Sequence, residues 1–116
     1  VNTAAPSITG TLHPGQTVQF HVRDHRTADE ELRQLLSAVR KDAVHAPQAG
    51  LLFTCNGRGS RLFPEPHHDA GLVHAYLGDI PLAGFFAAGE LGPIGGKNFM
   101  HGFTASLALF GPDQHA

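Results

Sequence analysis

Six consecutive residues, Asn56, Gly57, Arg58, Gly59, Ser60 and Arg61, place two guanidinium groups, an amide and a hydroxyl on a backbone loosened by two glycines. Glycine allows successive amides to turn into one concavity, which favours an anion. A guanidinium grips a carboxylate through two parallel hydrogen bonds. The chemistry this loop suggests is therefore capture of a small anionic group by Arg58 or Arg61. It lacks the Gly-x-x-x-x-Gly-Lys-Ser/Thr spacing that cradles nucleotide phosphates. A tight strand-to-helix connection with solvated arginines explains the same residues equally well.

Three further features carry reactive side chains. Glu90 stands between Gly89 and Leu91 after an apolar run, and Gly89 permits close backbone approach. Its carboxylate suits a ligand amine or an arginine of the first loop; the plain alternative is an exposed turn residue. Cys55 opens the cationic loop. A nucleophilic cysteine needs a neighbouring base, and no spacing pairs it with His101 or His67, so a small buried side chain is the expected role. His67, His68, Asp69 and His74 are metal-ligating types, but adjacent histidines do not share a helical face and His67 to His74 spans two turns, so no metal site is expected. A single axial histidine for haem needs no spacing pattern. His101 and Thr104 flank the start of the last apolar run and are expected at the same end of the sheet as Glu90.

These groups need rigid elements behind them. Gly50–Cys55 is apolar on both faces, as in an interior strand. Pro64 and Pro66 break the chain, and His67–Leu77 follows as a short helix with Leu72, Val73, Tyr76 and Leu77 inward and Gly78 as its stop. Pro81–Ala88 reads as another buried strand and Gly92–Asn98 as a glycine-rich hairpin or loop. Gly102–Phe110 reads as a final strand with Phe103, Ala105, Leu107 and Leu109 on one face. Upstream, Val1–Ser7 is a lead-in, Ile8–Leu12 a short strand and His13–Gln16 a turn. Thr17–Arg23 alternates as a half-buried strand. Thr27 and Glu30 form a capping box for a helix carrying Leu32, Leu35, Leu36, Val39 and Ala43, which ends before Pro47. The expected fold class is α+β: a mixed, mainly antiparallel sheet of about five strands with two helices packed on one face. Residues 1–10 are expected to be a linker and 11–116 one domain.

Composition sets the outer bounds. The chain has 116 residues, enough for one modest core. Its 41% hydrophobic and 16% charged content exclude a disordered tail, and the low charge suggests surface covered by another domain or chain. A net charge of −2 leaves no electrostatic footprint for nucleic acid. No apolar run approaches bilayer length, so no membrane insertion is expected. One cysteine excludes an internal disulfide and fits a reducing, cytoplasmic setting.

Three runs in order, G-L-L-F-T-C-N-G-R-G-S-R-L-F, P-L-A-G-F-F-A-A-G-E-L-G-P and H-G-F-T-A-S-L-A-L-F, resemble the C-terminal half of the FIST family. The segment G-Q-T-V-Q-F-H-V-R-D is also similar to the start of that domain, so the resemblance covers Thr11 to about Phe110. It implies a non-enzymatic sensory input domain of a signal-transduction protein, binding an amino-acid-like small molecule. The implied partners are an N-terminal FIST half of the same protein and a signalling output. A haem-binding, nitric-oxide-sensing role is the alternative that the family implies. The family-like motif positions are Cys55, Asn56, Gly57, Arg58, Gly59, Gly84, Gly89, Glu90, His101 and Thr104. On that reading Arg58 holds a ligand carboxylate, Glu90 the amine, and the amides near Gly57 and Gly59 orient it.

Overall fold

Helical spacing of Leu32, Leu36 and Val39 produces the first element of the computed structural model, which describes residues 11–18 and 24–112. Helix α1 spans His25–Asp42. The expected Thr27–Glu30 capping box does not open it. Asp24 is the N-cap instead, accepting from the amides of Arg26 (2.7 Å) and Thr27 (3.1 Å) and from the Thr27 hydroxyl. A carboxylate one position ahead of the helix satisfies two free amides at once and complements the helix dipole, so it displaces the weaker hydroxyl cap. Glu30 is left to accept from Gln34 on the next turn.

Strand β1, Ala49–Cys55, is the centre of a three-stranded sheet. It pairs in parallel with β2, Leu82–Ala87, and antiparallel with the last strand, Ala105–Phe110. Helix α2, His68–Leu77, connects the parallel pair and stops at Gly78, whose φ of 88° suits glycine. Between β2 and the last strand lies a separate hairpin of β3, Glu90–Ile94, and β4, Lys97–His101; the last strand is therefore β5. Gly95 and Gly96 turn the hairpin with positive φ at both positions, the local geometry that pairs a strand with its immediate successor. The class is α+β with five strands in mixed, mostly antiparallel pairing, as expected, but divided between two sheets.

Register explains the core. Gly50, Leu52 and Thr54 lie opposite Leu109, Leu107 and Ala105 on β5, and opposite Leu82, Gly84 and Phe86 on β2. Both helices cover this face, giving a core of Leu32, Leu36, Leu52, Leu72, Val73, Leu77 and Ile80. Leu36 and Val73 are fully buried, each burial stabilising the fold by about 2 kcal/mol.

Three expectations change. β2 is not buried: only Leu82 packs on the core, Phe85 lies level with Phe53 on the face away from the helices and is 64% exposed, and Phe86, level with Thr54 at the strand end, is 59% exposed. Phe103 is not on the final strand but precedes it with φ 59°. Of the alternating segment Thr17–Arg23, Thr17 and Val18 form no strand, and 19–23 lie outside the described residues, as do Val1–Ser7 and the first three residues of Ile8–Leu12.

Gly84 crosses β1 so closely that a Cβ there would overlap the Leu52 carbonyl. Gly84→Ala is expected to destabilise the chain by about 3 kcal/mol. Gly71, in α2 with open space around it, is the opposite case; Gly71→Ala should stabilise by about 1 kcal/mol. Urea unfolding monitored by circular dichroism measures both.

Candidate functional site

The carboxyl ends of the parallel strands β1 and β2 carry the loop that the sequence singles out. Cys55 donates its amide to the Thr104 carbonyl (3.0 Å) and Asn56 to the Ala87 carbonyl (2.7 Å), so the loop leaves the sheet from between β2 and β5. A single 3-10 turn, Gly59–Arg61, then leads towards α2.

Arg58 points inward and is 5% exposed. Its Nε and Nη2 donate to the two oxygens of Asp69 at 2.7 and 2.8 Å, a two-pronged buried ion pair. Nη1 donates to the Phe103 carbonyl at 3.3 Å, and the guanidinium lies 5.2 Å from the Phe63 ring centroid. His68 stacks on the other aromatic partner of this knot, its ring 3.5 Å from that of Phe63. His68 Nδ1 lies 2.9 Å from Asp69 and Nε2 lies 2.7 Å from Asp29, which also pairs with Arg33. The chain of contacts therefore runs from β5 through Arg58, Asp69 and His68 to α1. Burial pushes the Asp69 carboxyl up, but hydrogen bonds and charge attraction from Arg58 and His68 outweigh it and hold the group below the usual aspartate value.

A second knot fastens the hairpin. Glu90 is 6% exposed and accepts from the Thr104 hydroxyl at 2.7 Å through Oε2. Its Oε1 is buried with no hydrogen-bond partner among the described residues. His101 pairs with Glu90 across the hairpin and contacts the Gly92 carbonyl at 3.1 Å. The Phe103 ring covers Gly57, where any Cβ would collide with it. Cys55 is buried, and its sulfur receives the Gly57 amide at 3.4 Å.

Most of the motif residues are thus gathered at one end of the sheet, largely in contact with one another. Cys55, Asn56, Gly57, Arg58, Glu90, His101 and Thr104 tie strand ends together. Gly89 lies against β4, and Arg61 is exposed on the 3-10 turn. Of the family-like motif positions, Gly59 and Gly84 line the adjacent cavity.

That cavity is an open groove of about 570 Å³ that follows β2 from Leu82, its first residue, to Phe86 beside the same strand ends. Thr54, Gly59, Ser60, His67, Leu82 and Phe86 line it, and α2 presents Asp69 and Ala70 from its first turn. Thr54 is 5% exposed, and its hydroxyl has no hydrogen-bond partner among the described residues. His67 is the N-cap of α2, adopts the left-handed conformation with φ 57°, and makes no capping hydrogen bond. No motif marks Thr54 or Phe86 as a site residue, because both read as ordinary interior strand positions. The β-α-β order was the available signal, since ligands of parallel strands gather outside their carboxyl ends.

The chain matches the family model described as the FIST C domain over residues 4–93. Two proteins described as uncharacterized, from two strains of Mycobacterium tuberculosis, are each 53% identical over 108 residues, spanning 93% of this chain and 28% of their own length. A Mycobacterium bovis protein, also described as uncharacterized, is 49% identical over 113 residues, 97% of this chain and 29% of its own. The chain thus spans under a third of the length of these relatives. Among the described residues no helix is long and apolar enough to cross a membrane.

Removing one partner of the Arg58–Asp69 pair strands a buried charge, so Arg58→Met should cost about 4 kcal/mol in denaturant unfolding. The pair also fixes an acid response. Because the folded Asp69 value lies below the unfolded one, its contribution is complete above the ordinary aspartate pKa and is lost as pH falls through the folded value. Stability of the parent should therefore fall on acidification below about pH 4, the ordinary aspartate value. Asp69→Asn, already destabilised at neutral pH, should show a shallower fall.

Proposed function

This chain belongs to the FIST C domain family, and on that premise we propose that it is the ligand-receiving part of a sensory protein and not an enzyme. The groove along β2 and the carboxyl end of β1 carries this reading, because it is lined by Thr54, a 5% exposed polar side chain whose hydroxyl has no hydrogen-bond partner among the described residues. A volume of about 570 Å³ falls in the usual range for small organic ligands. Its walls supply apolar surface from Leu82 and Phe86, and the α2 first turn supplies partial positive charge.

The amino-acid-like ligand of the family resemblance would lay its side chain against Phe86 and its carboxylate towards α2. Arg58 then acts at second hand. Its fork is filled by Asp69, so it shapes the groove rim by fixing the loop to α2. A ligand there touches β1, β2, the 3-10 turn and α2 together. It alters signalling only to the extent that it prefers one arrangement of these elements over another.

The remainder of the longer protein is the proposed partner for the opposite face. Phe85 and Phe110 on the sheet, and Leu91 and Met100 on the hairpin, are all at least half exposed. Such surface suits coverage by an N-terminal FIST half.

Calorimetry of the intact protein against a panel of amino acids and their analogues tests the groove. Phe86→Ala should weaken binding about tenfold while leaving the melting temperature unchanged, because the ring is largely outside the core. Parent-like affinity in Phe86→Ala would remove the groove as the site.

A further inference from the structure

The groove offers hydrogen-bond donors and a helix N-terminus, but no acidic group among the described residues left free for a cation. Asp69 is the single carboxylate among its lining residues. Both Asp69 oxygens are taken, one by Arg58 Nε and the other by Arg58 Nη2 and His68 Nδ1. Glu90, whose Oε1 lacks a partner, does not line the groove. A ligand ammonium placed here would lose water and gain no counter-charge, which is costly.

A carboxylate meets the reverse conditions. The first turn of α2 has no side-chain cap among the described residues, since its N-cap residue His67 makes no capping bond. Free amides at a helix start attract anions. Independently of the helix, the hydroxyl of Thr54, a residue only 5% exposed, has no hydrogen-bond partner among the described residues, and Thr54 lines the groove. Ser60 and the His67 ring add donors at the rim. Phe86 and Leu82 leave room for an apolar tail on the β2 side.

We infer that the groove takes a monocarboxylate with an apolar, aryl-sized tail and no ammonium group, in preference to the zwitterionic amino acid. This inference rests on the groove being the ligand site. Its carboxylate lies against the α2 first turn and the Thr54 hydroxyl, and its tail lies along Phe86.

Three probes of one skeleton separate the possibilities: phenylpropanoate, phenylalanine and phenylpropylamine, titrated into the intact protein by calorimetry. Phenylpropanoate should bind, phenylalanine at least about tenfold more weakly, and the amine without measurable heat. Thr54→Val, nearly isosteric, should weaken phenylpropanoate about fivefold. Phenylalanine or the amine binding as tightly as phenylpropanoate, with sensitivity to Phe86→Ala, overturns the inference and leaves the groove as the site. Binding of none of the three, or binding indifferent to both Thr54→Val and Phe86→Ala, overturns the groove itself.

Discussion

The buried pair of Arg58 and Asp69 is the constraint on which the rest of this end of the molecule depends. It joins the loop after β1 to the first turn of α2, and its third donor holds the backbone that enters β5. Through His68 it reaches Asp29 on α1. Four elements are therefore aligned by one guanidinium. Bringing two charges out of water is costly, and an apolar pair of similar shape often serves stability as well. What the pair supplies beyond stability is direction. A two-pronged fork tolerates one orientation of the loop, whereas apolar packing tolerates several.

That alignment decides what the groove can do. Because Arg58 and Asp69 satisfy each other, neither charge faces a ligand, and the groove rim is polar without being strongly charged. Its remaining resources are the start of α2, two hydroxyls, the His67 ring and exposed aromatic surface. The strained left-handed backbone of His67 belongs to the same place, where the chain must turn sharply into α2. The knot of Glu90, Thr104, Gly57 and Phe103 acts differently. It anchors the hairpin to the sheet and leaves one carboxylate oxygen without a donor among the described residues.

The elements were unevenly legible in the residues. α1, β1 and the Gly78 stop follow from local patterns, since apolar spacing and a glycine needing positive φ are properties of short segments. The cap of α1, Asp24, lies three residues before the expected Thr27 because two neighbouring segments, each able to cap, compete, and the carboxylate wins only through its geometry. The apolar run of β2 gave no warning that Phe85 and Phe86 would be exposed: Phe85 lies on the face of the sheet away from the helices, and Phe86 lines the open groove. The hairpin was visible in its glycines, but its separation from the main sheet was not.

Sequence by itself determined the α+β class, the family motif and the residue types gathered at the strand ends. These rest on local periodicity, turn chemistry and chain order. Only the tertiary structure decided which of those residues remain available. It turned Arg58 inward onto Asp69, eleven positions along the chain, and Glu90 onto Thr104, fourteen positions along. It also opened the groove beside Thr54 and Phe86, which no motif marks. Pairing between distant charges is a matter of three-dimensional distance and burial, and neither is encoded in spacing along one chain.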